Sequence, residues 1–520
     1  MSSPDSETPA WLAPLRPHVV LVGAGPGDPE LITVGGDRWL READVVLYDY
    51  LVNPLLLKAC RTGAELICLG KHGRDRLLTQ DEVNDRMVRE ARRGRLVVRL
   101  KGGDPAVFAR FGDETAALEA AGLRYRVVPG ITTALAVGSH AAVPLTDRRA
   151  ASAVALITGH EQTDQAEAKL DYRGLAAFPG TLVFYMGVVQ APAWTRALIA
   201  AGKPATTPTA VVRRCSWPDQ QTIVTTLGEA ADAIQSLKLR PPVIVVVGPV
   251  VDLRSTTSWF TSRPLFGRRV LVTRPEAEES PLAAKFRELG ADVVAQPAIE
   301  IGEPDDPQPL DAALRSLERF EWLVFSSGNG VRAALGRLLR LGADLRALRN
   351  VKLAAIGPGT AEALRGFHLH ADLIPPTYRA EALAEALVEQ VRRGARSFLL
   401  VRASRGREVL AESLRAAGAE VTQIVAYSSR DVVAPDAEIA ALVAAGKIDW
   451  ITVTSSAIAR SVAAMFGPAA ARCRLASISP ITSQALRESG LEPAVEATTY
   501  TFDGLIEAVL RAEQAGETSS

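Results

Sequence analysis

Cysteine is scarce in this chain: Cys60, Cys68, Cys215 and Cys473 are the only four in 520 residues, and no two form a C-x-x-C pair. That spacing excludes a disulfide framework and a thiolate zinc site. The six histidines show no ligand spacing either, so no metal is expected. An excess of one charge is also missing, since Lys plus Arg and Asp plus Glu number 59 each. Without a net field or an evident basic stripe, nucleic acid and an anionic membrane are not expected as partners, although basic residues can still gather locally around an acidic substrate. No apolar run approaches a membrane span, and the first sixteen residues lack the basic start and apolar stretch of a signal peptide. A soluble cytoplasmic protein with reduced thiols is expected.

What is present is length and rhythm. A chain of 520 residues is too long for one core and should hold several domains. Runs rich in Val, Leu and Ile at 19 to 22, 45 to 48, 96 to 100, 154 to 157, 181 to 185 and 243 to 247 alternate with helical patterns, an α/β layout with two lobes meeting near 130 to 150. The polar stretch DLRSTTSWFTSRPLFG at 252 to 267 interrupts this rhythm and places a linker, set at 261 to 266, between two halves. The alternation then resumes at 268 to 275, 323 to 331, 352 to 360, 397 to 406, 449 to 457 and 474 to 482.

The first strand runs into Val22-Gly23-Ala24-Gly25-Pro26-Gly27-Asp28-Pro29-Glu30, and a second glycine loop, Lys101-Gly102-Gly103-Asp104-Pro105, follows downstream. Asp28 suits a helix cap, Pro29 the first helical position and Glu30 the positive helix end, so a strand-loop-helix ligand site is indicated. A dinucleotide fingerprint would need glycine where Asp28 stands, and Pro26 removes an N-H from any pyrophosphate cradle. Asp49, at the end of the next strand, nevertheless stands where a ribose-binding acid would, so this loop alone leaves the dinucleotide alternative open.

Read across the first half, the sequence resembles the tetrapyrrole methyltransferase family, and most closely its uroporphyrinogen-III C-methyltransferases, nearly continuously from about Val19 to Phe260. The agreement includes GAGPGDPELIT at 23 to 33, VVLYDYLV at 45 to 52, LGK at 69 to 71, VVRLKGGDPAVFAR at 97 to 110, VVPGITTALA at 127 to 136, PLTDR at 144 to 148, LITGH at 156 to 160 and LVFYMG at 182 to 187. The resemblance implies a two-lobed fold, S-adenosylmethionine as methyl donor and a homodimer through this half. By residue matching it assigns the donor to Pro26, Gly102, Gly103, Asp104, Val107, Thr132, Thr133, Met186 and Cys215, with Asp49 as base and Lys71 as acid. Read without it, Asp49 is a strand-end cap and Lys71 a solvated amine. The chain departs from the family at Ala109 and Phe111, where glycines are common, at Asp113, where the first acid of a pair is glutamate, and at Cys215, where a glycine often touches the donor.

The second half carries a faint repeat. Val324-Phe325-Ser326-Ser327 is echoed by Val453-Thr454-Ser455-Ser456, and the segment 356 to 365 by 478 to 487. Each copy ends an apolar strand in hydroxyl residues before a helix, which suits carboxylate binding at helix N-termini or, equally, plain capping. Here the sequence resembles the uroporphyrinogen-III synthase family over about Gly267 to Leu510, through LVTRP at 271 to 275, FSSGNGVRA at 325 to 333, IGPGTAEAL at 356 to 364, YRAEALAEAL at 378 to 387, LVRASRGREVLAESLRAAGAEV at 400 to 421 with VAYSS at 425 to 429, and TVTSSA at 452 to 457. The resemblance makes Tyr427 a proton donor; its phenol otherwise reads as a half-buried strand tyrosine. Ser326, Ser327, Asn329, Thr360, Ser455, Ser456 and Thr482 are candidate ligands of substrate carboxylates, with Arg274 and Arg402 as charge partners. Ser479 stands where the family often has glycine.

The expected architecture is therefore α/β throughout. A tail at 1 to 16 precedes a methyltransferase at 17 to 260, with lobes of about 17 to 133 and 134 to 260. After the linker comes a synthase at 267 to 512, one lobe made from 267 to 300 plus 428 to 512 and the other from 301 to 427, and then a disordered tail at 513 to 520. The implied chemistry is consecutive: hydroxymethylbilane closes to uroporphyrinogen III, which takes two methyl groups from S-adenosylmethionine to give precorrin-2 for sirohaem or cobalamin. The alternatives are a methyltransferase whose C-terminal half is a tetrapyrrole-binding regulatory module, and a methyltransferase acting on a later corrinoid, RNA or protein. No N-terminal nucleotide-binding module of the kind that oxidises precorrin-2 and inserts iron is expected.

Overall fold

Strands with every residue buried lie inside the sheets, not at their edges, and Val19–Gly23 and Val97–Lys101 are two of them. The computed structural model describes residues 16–70, 78–159, 170–275, 280–406 and 408–517, divided into units of residues 1–267 and 268–520. In the first unit β1 (Val19–Gly23), β2 (Val45–Tyr48), β3 (Glu65–Cys68), β4 (Val97–Lys101) and β5 (Tyr125–Val128) form a parallel sheet in the order β3-β2-β4-β1-β5. Burial on both faces explains their continuous Val and Leu runs. The chain leaves the neighbours β2 and β4 toward opposite edges of the sheet, to β3 and β5, which opens a crevice beyond the carboxyl ends of the central strands. Both glycine loops lie there.

The second lobe holds β6 (Val154–Thr158), β7 (Thr181–Tyr185), β8 (Pro208–Arg213), β9 (Gln221–Thr226) and β10 (Val243–Val247), in the order β6-β7-β10-β8-β9. Only β6 and β7 pair in parallel there. Helix Thr133–His140 begins where the lobes meet and buries Ala134, Ala136 and Val137 against the second sheet.

The second unit contains β11 (Arg269–Val272), β12 (Asp292–Ala295), β13 (Ile299–Gly302), β14 (Trp322–Phe325), β15 (Lys352–Ala355), β16 (Ser397–Ala403), β17 (Glu420–Asp431), β18 (Trp450–Val453), β19 (Arg474–Ser477) and β20 (Val495–Glu496). Two sheets result, β12-β11-β18-β19-β20 from the two ends of the unit and β13-β17-β16-β14-β15 from its middle. In the first the chain diverges from β11 and β18, and in the second from β14 and β16, so each lobe has its own crevice at carboxyl strand ends.

Three expected boundaries change. The segment 261 to 266 is not a linker but part of the first unit: Phe260 and Leu265 are buried, Ser258 Oγ and Trp259 Nε1 donate to the carbonyls of His140 and Ser139 at 2.7 and 2.8 Å, and Gly267 N donates to Pro218 O at 3.1 Å. Apolar residues spaced through a polar stretch fasten it. Residues 513 to 517 are no loose tail, because helix Phe502–Glu517 continues through them and buried Glu513 accepts from Trp450 Nε1 at 2.7 Å and pairs with Arg268 at 2.8 Å. Finally, antiparallel pairing of 299–302 with 428–431 extends the middle lobe of the second unit a few residues past 301 and 427 at both ends.

Candidate functional site

In the first unit the two glycine loops are joined by backbone. Gly25 N donates to Gly103 O at 3.2 Å and Gly103 N to Gly25 O at 2.8 Å, an antiparallel bridge across the crevice. Asp104 braces the second loop, accepting from Ala106 N at 2.8 Å and from Gly130 N at 3.0 Å. The loops approach so closely that a Cβ on Gly23 would stand 2.5 Å from Gly130 Cα. Among the described residues, a Cβ on Gly102 would meet only Leu51 Cβ at 3.5 Å, and one on Gly103, with φ +68°, only Thr132 Cα at 3.9 Å. The floor of the crevice is thus bare backbone facing open space, which fits a bulky donor lying against it.

The second lobe closes the crevice. Trp217 Nε1 donates to Pro26 O at 3.3 Å, Ser216 Oγ accepts from Asp28 N at 3.0 Å, and a Cβ on Gly27 would fall 2.0 Å from Trp217 Nε1. Tyr185, at the end of β7, bonds Thr132 Oγ1 at 2.7 Å, accepts from Ala134 N at 3.0 Å and packs against Phe108 with centroids 5.1 Å apart. Thr133 opens the helix that follows, Val107 N donates to Asp104 O at 3.3 Å, and Met186 is 52% exposed at φ +54°. Of the expected donor residues, Pro26 and Thr132 make contacts between the two lobes, Gly103 and Asp104 tie together loops of the first lobe, and Thr133 opens the helix where the lobes meet.

Cys215 differs from the rest. It is buried in the core of the second lobe with Ala134, Val183 and Val212, and burial pushes its thiol up to about 12. Its side chain is a packing group, not a nucleophile. Asp49 sits one residue past β2, partly exposed, with Oδ1 2.7 Å from Nη2 of buried Arg99. Lys71 lies outside the described residues. The departures at 109 and 111 involve no left-handed backbone; positive φ falls instead on Phe108 (51°) and Arg110 (50°).

In the second unit the hydroxyl residues occupy helix starts. Ser327 caps Gly328–Arg340, accepting from Gly330 N at 3.1 Å, and Ser455 caps Ser456–Phe466, accepting from Ile458 N at 3.2 Å. Tyr427 is buried in β17 with its hydroxyl 2.9 Å from Ser327 Oγ. Beside it, a cavity of about 440 Å³ is lined by Asn329, Arg332, Arg337 and Tyr427 among others. Arg274 reaches Thr454 Oγ1 at 3.4 Å across the β11–β18 crevice and stacks on Phe502. Ser326 donates to Val401 O and Ser456 to Ile481 O, each at 3.4 Å.

Three candidates fit the carboxylate-binding role poorly. Arg402 is committed to Glu408 and to Gln423 Oε1 at 3.3 Å, so it is no free charge partner. Thr360 and Thr482 are buried on the inner faces of their helices, and Thr482 Oγ1 bonds the capping Ser479 at 3.0 Å. Ser479 is extended at φ −164°, so no glycine is needed there. Conversely, Tyr185, Gly130, Trp217 and Arg99 were not expected to contribute. Arg99 had a signal: with Lys101 it is one of two cations at alternate positions of an apolar strand.

Comparison with known proteins agrees with this division. The model of the tetrapyrrole (corrin/porphyrin) methylases matches residues 18–231, and that of the uroporphyrinogen-III synthase HemD matches 280–507. The porphyrin biosynthesis protein HemD of Ruminiclostridium josui is 32% identical over 493 residues, 95% of this chain and 97% of that protein. The uroporphyrinogen-III C-methyltransferase of Bacillus subtilis (strain 168) is 39% identical over 351 residues, 67% of this chain and 72% of its own length. Among solved structures, the native uroporphyrin-III C-methyltransferase of Thermus thermophilus is 37% identical, with 45% of this chain and 93% of that one covered and a TM-score of 0.39. The chain belongs to both families at once: a tetrapyrrole methylase and a uroporphyrinogen-III synthase in succession on a single polypeptide.

Proposed function

We propose that this chain carries out two consecutive steps of tetrapyrrole synthesis. The second unit closes hydroxymethylbilane to uroporphyrinogen III with loss of water, and the first methylates that product twice, by way of precorrin-1, to precorrin-2 for sirohaem or cobalamin. The observation that carries the reading is the pairing of the two families on one chain, since the product of one is the acceptor of the other. S-adenosylmethionine, when bound, supplies a sulfonium methyl group. Pro26, the Gly102–Asp104 loop, Val107, Thr132, Thr133 and Met186 would hold it, and alignment of this kind contributes about 7 to 11 kcal/mol. Asp49 would take the ring proton and Lys71 would serve as acid. In the second unit Tyr427 would donate a proton to the departing hydroxyl, with Ser326, Ser327, Asn329, Ser455, Ser456 and Arg274 toward substrate carboxylates. We place the activity in the cytoplasm, in keeping with four free cysteines, and read the protein as a homodimer through its first unit.

The test is anaerobic incubation of the purified chain with hydroxymethylbilane, with and without S-adenosylmethionine, products being resolved by isomer and mass. Type III uroporphyrinogen without the donor and a dimethylated product with it are expected. Type I isomer alone, with added uroporphyrinogen III still methylated, would reduce the second unit to a binding module. Light scattering on the eluting protein tests the dimer.

A further inference from the structure

Beneath the methyl-transfer crevice lies a charged cluster that the proposed chemistry does not use. Arg99 and Lys101 alternate along β4 and so project to one face, where helix Phe111–Ala120 covers them. Both reach one carboxylate: Glu114 Oε1 accepts from Arg99 Nε at 2.9 Å, and Oε2 lies 2.5 Å from Lys101 Nζ. Glu114 has no exposed surface, and Lys101 and Arg99 are 2% and 5% exposed. A lone carboxylate or a lone cation at that depth would be strongly disfavoured, so the three hold one another in place. Of the other two guanidinium nitrogens, Nη1 donates to Leu100 O at 3.2 Å and Nη2 binds Asp49 at 2.7 Å.

We propose that Glu114 is the positioning residue of the methyl-transfer site, fixing the base Asp49 through Arg99. This rests on Asp49 as the base. The fork of Arg99 gives a rigid linkage: Nε and Nη2 lie in one plane, so fixing one fixes the direction of the other. Lys101 satisfies the second oxygen of Glu114 and keeps that carboxylate from rotating away. It also ends the strand that runs into Gly102, whose loop is held separately by the Gly25–Gly103 bridge and Asp104. Burial draws the Lys101 ammonium down, and Arg99 adds to this, while Glu114 opposes both. Arg99 is likewise drawn down by burial, but Asp49 and Glu114 outweigh this and raise it, so it stays a cation. The network matches two cations with two carboxylates, one of them exposed enough to meet substrate. Of the acid pair at 113 and 114, only Glu114 joins it, which is why Asp113 can depart from glutamate without breaking the anchor.

The test compares the full-length protein with Glu114→Gln, Glu114→Asp, Asp49→Asn and the Glu114→Gln/Asp49→Asn double variant. Anaerobic methylation of uroporphyrinogen III is measured per site that binds S-adenosylhomocysteine, so unfolded protein does not count. Glu114→Gln should lower kcat about 10- to 100-fold while leaving donor affinity within about three-fold, because the Gly25–Gly103 bridge and Asp104 hold the donor loop separately. Glu114→Asp should restore part of the rate. The double variant should be no slower than Asp49→Asn alone, as expected of a residue that acts through Asp49. Turnover of Glu114→Gln within about three-fold of the parent, or costs that multiply in the double variant, would overturn the proposal. So would a failure of both Glu114 variants to bind S-adenosylhomocysteine, which would make Glu114 a stability residue. Full turnover by Asp49→Asn would overturn the reading of Asp49 as base, and this proposal with it, before any Glu114 variant is assayed.

Discussion

A single methyl group at position 130 tests whether the donor crevice is built on backbone contact. An alanine Cβ there would stand 2.2 Å from Gly103 O and 2.7 Å from Gly23 Cα. Real Cβ contacts stop near 3.0 Å, so from 2.2 Å the loop after β4 must retreat by about 0.8 Å. Every obstructing atom is backbone, and no rotamer change relieves the clash. Gly103 is also bridged to Gly25, so its retreat drags the first glycine loop with it. Overpacking of this kind costs about 1 to 3 kcal/mol of stability. In a unit of this size that lowers the unfolding temperature by about 2 to 4 °C per kcal/mol. A displacement approaching 1 Å costs about 100-fold in rate, or about 2.7 kcal/mol of transition-state stabilisation. The assays are calorimetric titration with S-adenosylhomocysteine and anaerobic methylation of uroporphyrinogen III, with the rate of uroporphyrinogen III formation by the second unit as internal control. Gly112→Ala is the matched comparison: no described residue lies within 4 Å of its Cβ, and an exposed helical alanine should change stability by less than about 1 kcal/mol. Gly130→Ala protein with parental donor affinity and methylation rate would refute the reasoning.

Three further outcomes are expected. With its thiol pushed up to about 12 and buried, Cys215 should resist iodoacetamide at about pH 8 in the folded protein; peptide mass mapping that finds it alkylated, with methylation lost, would contradict its role as a packing group. His140 lies between Trp259 and Phe260, and burial lowers its ring from the ordinary 6.5 despite a hydrogen bond with Ala136 O. Its neutral form thus contributes stability that is fully present above 6.5 and lost as pH falls from there toward the folded value, so the first unit's unfolding temperature should drop more steeply below 6.5 than in His140→Gln; parallel curves would exclude it. Tyr427→Phe keeps the buried ring but removes the hydroxyl bonded to Ser327. It should cost about 0.5 to 1.5 kcal/mol and slow type III formation by about 100-fold or more with methylation unchanged, whereas parental rates of isomer formation would remove Tyr427 from the chemistry.

The strands were legible because fully buried parallel strands are written as short Val, Leu and Ile runs, and the glycine loops because close backbone approach leaves no substitute for glycine at Gly23 and Gly130. The segment at 252 to 267 misled because its polarity is local while its anchors are not: Ser258, Trp259 and Phe260 reach Ser139 and His140, more than a hundred positions away. Burial was likewise hidden at Thr360, Thr482 and Cys215, whose types suit either a site or a core. Arg402 read as a free cation because Glu408 and Gln423, which engage it, lie on a neighbouring loop and strand. The Arg99–Glu114 contact spans fifteen positions, from a strand to the helix after the next loop, and no local pattern encodes it.

The repeat in the second unit shows which part of a site a sequence preserves. Ser327, Ser455 and Ser479 precede their helices at φ −165°, −165° and −164°, and Gly357 does so at −176°. One extended geometry thus recurs at four helix starts, two in each lobe, and any residue can adopt it, which is why serine and glycine alternate there. The hydroxyls at three of them bond the first helical turn, so they are capped already and a ligand would meet mostly backbone N–H groups and the helix dipole. Such a surface recognises carboxylates without requiring particular side chains. In the proposed reaction the chemistry would then fall on the few side chains that backbone cannot replace, Tyr427 first among them.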